Sequence, residues 1–284
     1  MDKGFQRSWS LILITICILL GSGVLYIIPL FQRNPYVFMT FGEGILIVPV
    51  LMGILMLKRQ KSPDASLFEG FSPKLIPVLV VVPFVMQNFF MYLTLPVHGG
   101  LYELLGEPEQ GIEAAANLKI FLMQIVAVCI VPAFVEELLC RGVIMQMLKP
   151  YGITVMMTVS ASMFAILHFD LQSFIILFML GMLMSAVKIL TGSIWACVLI
   201  HFSNNLWAMI TLILSEKGME NFLMVLNLVS VVFFPICVYI ILKKCKNRVI
   251  GISFEKSKKP GFSLSMFFCI GLFLLFTVPG IFTN

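Results

Sequence analysis

Apolar runs of about twenty residues recur along the whole chain with only short polar interruptions, and that pattern excludes most folds. A run of this length matches one helical crossing of a bilayer core. The runs are continuous rather than alternating, which argues against a closed β-barrel, and they are far too numerous to be one signal peptide. Composition agrees, with 60% of residues hydrophobic and 12% charged. A soluble domain carries roughly a quarter of its residues charged. The expected fold is all-α, a polytopic transmembrane helix bundle of about eight or nine helices, forming a single domain over residues 1–284.

Helices are expected near 9–31, 36–57, 75–97, 118–148, 152–168, 171–190, 194–214, 222–242 and 263–283. Basic residues then sort to alternate connections. Lys3 and Arg7 precede the first helix, and Lys58, Arg59, Lys61 and Lys74 separate the second from the third. Lys149 follows the fourth and Lys188 ends the sixth. Lys243, Lys244, Lys246, Arg248, Lys256, Lys258 and Lys259 follow the eighth. The opposite connections carry Glu103, Glu107, Glu109 and Glu113, then Glu216 and Glu220. The positive-inside rule therefore puts the N-terminus in the cytoplasm, with a short interfacial helix expected outside over 101–117. The net charge of +5 reflects this asymmetry and is no nucleic-acid footprint; the expected partner is the lipid bilayer. Seven cysteines without a CxxC pair read as buried apolar thiols, neither a disulfide framework nor a zinc knuckle.

Few ionisable groups remain at depth: Glu43, Glu136, Glu137, Arg141, His168 and His201, with Lys188 near a helix end. Each costs about 3 kcal/mol on insertion scales unless it is paired or faces water. Glu137 and Arg141 stand four apart and can pair along one helix face. Glu136 is turned from Glu137 by about 100°, so both carboxylates cannot serve one arginine. One acid is left to face something else, where it would suit a general base. His201 and Asn205 are also four apart on one face, and His168 closes the fifth helix.

A carboxylate, two imidazoles and an amide on three helices could meet in one wet cavity. At about 1.5 Å per residue, Glu136 lies roughly 18 Å from the inner end of its helix, His168 about 24 Å and His201 about 10 Å. Those depths allow a meeting on the cytoplasmic side of the midplane and leave His168 too deep for it. Taken singly, each patch also fits a structural ion-pair network or an interhelical polar clasp. Glu43, in FGEG, is expected to snorkel or pair locally, with Gly42 and Gly44 permitting close helix approach. Cys140 has no base beside it and reads as structural.

The three patches, in this order, resemble the CAAX protease and bacteriocin-processing family (CPBP, also called Abi) of intramembrane endopeptidases. EExxxR matches Glu136, Glu137 and Arg141, with Gly142 following; FxxxH matches Phe164 and His168; HxxxN matches His201 and Asn205. Together they mark a motif-bearing core of about 118–214, while the helices before Leu118 and after Leu214 carry no motif. The resemblance implies hydrolysis of a peptide bond within the membrane. Glu136 would be the base and His168 its partner in activating water. His201 and Asn205 would steady the oxyanion, and Glu137 and Arg141 would hold the catalytic carboxylate in place. It leaves a divalent metal such as zinc open: Glu136, His168 and His201 could ligate one with a position left for water. HExxH or another short His–His spacing is missing.

The expected substrate is a peptide or lipidated protein. The eukaryotic branch of the family removes the last three residues of prenylated CAAX proteins. The size of this chain, and the lack of a targeting segment in it, suit a bacterial plasma-membrane relative acting on a pheromone, a bacteriocin leader or an anchored regulator. Two other classes compete. A proton-coupled transporter also uses intramembrane carboxylates and histidines, yet no inverted repeat or paired broken helix is visible. A non-enzymatic bacteriocin-immunity or regulatory protein would have no need of all six polar positions.

Overall fold

In the computed structural model, residues 3–58, 68–105, 113–246 and 263–277 are described. Every regular element among them is helical. Among the described residues, nine helices carry the bundle: α1 (Lys3–Ser22), α2 in two parts (Pro35–Gly44 and Ile47–Lys58), α3 (Ile76–Leu93), α4 (118–148), α5 (Gly152–Leu167), α6 (Phe174–Thr191), α7 (Ile194–Glu216), α8 (Glu220–Lys244) and α9 (Leu264–Thr277). Seven stretches of the described residues are long and apolar enough to cross a membrane, and one of these, Leu118–Leu167, contains both α4 and α5. The protein is an integral membrane protein with an all-α polytopic bundle. Arg59, Lys61, Glu107, Glu109, Arg248, Lys256, Lys258, Lys259 and the expected end of the last helix beyond Thr277 lie outside the described residues.

The short helix expected over 101–117 starts earlier. It runs Leu95–Leu105, directly after α3, and residues 106–112 lie outside the described set. Pro96 sits in its first turn, where a missing N–H costs nothing and a fixed φ favours the helix.

α4 and α5 form an antiparallel hairpin. The chain reverses through a tight turn at Lys149–Tyr151 and leaves it at Gly152, whose φ of 85° an L side chain would resist. Across the hairpin the Ser160 hydroxyl donates to the Cys140 carbonyl at 3.2 Å. α6 and α7 form a second hairpin, reversing at Gly192 with φ 75°, and the Cys197 thiol reaches the Met184 carbonyl at 3.2 Å.

The basic connections gather at one end of the bundle. The Phe5 amide donates to the Tyr151 hydroxyl at 2.7 Å, bringing the start of α1 to the α4–α5 turn. The Lys244 ammonium donates to the Lys74 carbonyl, and the Ser193 hydroxyl donates to the Glu69 carbonyl. The starts of α1, α3 and α7 thus stand beside the ends of α4, α6 and α8.

α4 is not a uniform α-helix. It carries two wider π-helical turns, at Ile125–Ile130 and Leu138–Ile144, on either side of the seven residues Val131–Glu137. A backbone group freed from its helix in lipid must find another partner. The Asn205 amide donates to the Val128 carbonyl at 2.7 Å, in the first wide turn, and Ser160 serves Cys140 in the second. Helices α5 and α7 therefore supply partners to the two irregular turns of α4.

Close packing falls at glycines other than the pair flanking Glu43. A Cβ on Gly42 or Gly44 would meet nothing within 4 Å, so those two do not mediate a close approach. Gly53 of α2 does, against Leu11 and Val143, and so does Gly181 of α6, where a Cβ would stand 2.8 Å from the Ala161 Cα. That neighbour is backbone and cannot swing aside. Gly181→Val should therefore separate α5 from α6 and destabilise the protein by about 1–3 kcal/mol. A thermal melt of the detergent-purified variant, several degrees below wild type, is the expected result.

Candidate active site

The site begins at the end of Val131–Glu137. Glu137 and Arg141 are fully buried, and Arg141 Nη1 donates to Glu137 Oε1 at 2.8 Å. The same oxygen faces His201 Nδ1 at 3.0 Å. Arg141 Nη2 reaches the Gly181 carbonyl at 3.1 Å, and the guanidinium lies 4.7 Å from the centre of the Phe164 ring. One ion pair thus contacts α5, α6 and α7 from α4. Phe164 also packs edge-on to His201, with ring centres 5.5 Å apart.

Glu136 points elsewhere, as its offset on the helix requires. Its Oε2 is buried, has no hydrogen-bond partner in the protein, and stands 3.9 Å from His168 Nε2. Nδ1 of His168 meets the Phe164 carbonyl at 2.8 Å. A carbonyl only accepts, so Nδ1 carries the proton, and in the neutral ring Nε2 presents a lone pair toward Glu136. By the same reasoning the Glu137 carboxylate fixes a proton on Nδ1 of His201.

His168 and His201 stand at other heights than helix counting suggests. The Ser160–Cys140 bond sets residue 160 level with 140, so Phe164 is level with Glu136. His168 follows one turn later, but helical side chains lean toward the N-terminus, and its ring hangs back over Phe164. That recovers about 5.4 Å and removes the excess depth. His201 is deeper than expected because the hairpin turns at Gly192, before α7 begins; from there it lies about 14 Å in. The polar residues therefore meet at one level of the bundle.

Asn205 is held on both sides of its amide. Its Nδ2 donates to Val128, and its Oδ1 accepts from Asn204 Nδ2 at 3.1 Å, which leaves one N–H unused. A cavity of about 830 Å³ is lined by Phe164, His168, His201, Asn204 and Asn205 among others.

Two residues escaped the sequence reading. Asn204 orients Asn205 and was hidden by its place beside a motif position. Glu43 neither snorkels nor pairs locally: its Oε2 is buried without a hydrogen-bond partner, and it interacts electrostatically with Glu136, His168 and His201. Its signal was present, since an acid inside a spanning segment calls for a functional reason.

Among the described residues no three His, Cys, Asp or Glu side chains are grouped to hold an ion.

Residues 118–207 match the family model for type II CAAX prenyl endopeptidases, Rce1-like. Over these residues the chain is similar to that family. The match spans α4, α5, α6 and the first half of α7, and includes all three motifs. At family level it supports a CAAX-type intramembrane protease, with membrane embedding and a peptide or prenylated-protein substrate. No curated protein and no solved structure matches the chain.

The segment that matches the family model is centred on one buried ion pair, whose removal should destabilise it. Arg141→Ala would leave Glu137 charged and buried with only His201 beside it, a loss of about 3–5 kcal/mol. Arg141→Met combined with Glu137→Gln should recover part of that stability, because neither partner is then an orphaned charge. Thermal melts of the three proteins in one detergent measure both effects.

Proposed function

We propose that the protein hydrolyses a peptide bond of a membrane-associated or lipidated peptide, using a water activated jointly by Glu136 and His168. The observation that carries this reading is the facing of Glu136 Oε2 and His168 Nε2 at 3.9 Å, beside a cavity large enough for an extended peptide segment. The pair is too far apart for a direct hydrogen bond and close enough to share a water.

Both atoms are acceptors, so a water between them donates both hydrogens and turns a lone pair outward. As that oxygen attacks the scissile carbonyl carbon, Glu136 takes one proton. The carbonyl becomes an oxyanion, stabilised by the remaining N–H of Asn205 and, when its ring is protonated, by Nε2 of His201. The carbon–nitrogen bond then breaks, with the proton passing from Glu136 to the leaving amine. Glu137 and Arg141 take no part in bond making; they hold His201 and the Glu136 backbone in place. No step is routed through a metal.

The test is cleavage of a quenched fluorescent peptide bearing a farnesylated cysteine, by protein purified in detergent. Glu136→Gln keeps the shape and loses the base, so kcat should drop by about 10²–10⁴-fold. The melting temperature should hold, which separates lost chemistry from lost fold. His168→Ala should behave alike, and a chelator should leave the wild-type rate unchanged. Equal rates for wild type and Glu136→Gln would sink the mechanism.

A further inference from the structure

The cavity runs in one direction only. From His201 its lining follows α7 outward through Asn205, Ala208, Thr211 and Ser215, roughly one residue per turn, and it includes Asp170 of the α5–α6 connection. Every one of these lies toward the end of the bundle that holds the α5–α6 and α7–α8 connections. Ser215 and His168 are exposed, and Thr211 is partly so.

Toward the opposite end the site is sealed. Cys140, Ile144, Leu148, Met184, Val187 and Cys197 lie beneath the Glu137–Arg141 pair and are each at most 1% exposed. They form a closely packed, mostly apolar plug between the polar residues and the two hairpin turns at Lys149–Tyr151 and Gly192. A charged or hydrated peptide could not pass through it without desolvating its backbone.

The two ends differ in charge. Arg7, Lys58, Lys74, Lys149, Lys188, Lys243, Lys244 and Lys246 all stand at the plugged end, against Glu69. Glu103, Glu113, Asp170, Glu216 and Glu220 stand at the open end, against Arg33, Lys119 and Lys217. Short basic connections stay in the cytoplasm. The plugged end is then cytoplasmic and the open end faces away from it.

Resting on the protease reading above, we infer that the site admits substrate from the extracytoplasmic face, so that its substrates are peptides exported from the cell or anchored in the outer leaflet. A cytoplasmic protein carrying a freshly attached lipid would meet the plug instead. The cavity geometry and the charge asymmetry are independent observations, and both are needed for the assignment.

Cysteine labelling reads this without any cleavage assay. In a Cys17→Ser background, Thr211→Cys and Ser215→Cys probe the cavity, and Lys58→Cys probes the basic end. Whole cells expressing each variant are treated with a membrane-impermeant maleimide, before and after permeabilisation, with the background protein as blank. The expected result is Thr211→Cys and Ser215→Cys labelled equally in both conditions, and Lys58→Cys labelled only after permeabilisation. Thr211→Cys reacting only after permeabilisation, or in neither condition, overturns the inference. Failure of the peptide assay with this labelling intact would fall on the protease reading alone. Reversed labelling with cleavage intact would fall on the route alone.

Discussion

A single carboxylate oxygen, Glu137 Oε1, holds the centre of this bundle together. It accepts from Arg141 on its own helix and from His201 on α7, with no exposure to solvent. Such a pair is not a gain over a well-packed apolar core, because both ions must be stripped of water. Its value lies in specificity. Arg141 has a fixed fork of donors, and once one arm is on Glu137 and the other on the Gly181 carbonyl, the rotation of α4 against α6 is set. The Phe164 ring against the guanidinium adds α5 to the same joint. With Glu137 occupied on that side, its neighbour Glu136 is left to face His168.

The surrounding helices shape this joint without carrying motifs. α2 brings Glu43 into electrostatic reach of the site, and Gly53 lets its inner half lie tight against α4. α3 contains Pro83, which loosens its hydrogen bonding, and the nearby Val80 carbonyl accepts the Trp207 indole N–H of α7 at 3.0 Å. The match to the Rce1-like model stops short of these elements. Their contribution is to enclose the core and, through Glu43, to add a third carboxylate to its electrostatics.

Much of this was legible in the sequence because lipid imposes a strict alphabet. Run length gave the helices, the lysines gave the shared end of the connections, and six polar residues at depth pointed to one locus. What resisted was anything set by register. His168 looked too deep because a residue's height was counted at its backbone, while its ring lies a turn back against Phe164. His201 looked too shallow because the turn at Gly192 precedes the helix. Glu43 was misjudged because a lone acid beside glycines carries no spacing that names its partners, and those partners sit on α4, α5 and α7. The wide turns of α4 left no trace in hydropathy at all.

Those wide turns give the motif helix an angular phase of its own. A turn closed by an i→i+5 bond holds one residue more than an α-helical turn, and one residue is worth about 100° of rotation. Val131–Glu137 lies between two such insertions, so its side chains are rotated relative to both the outer and the inner stretch of the same helix. The carboxylates are thereby aimed independently of the lipid-facing and core-facing stripes that anchor α4 at its two ends. A single-residue deletion within Ile125–Ile130 would straighten the helix, keep its hydrophobicity and its span, and swing one carboxylate into the place of another.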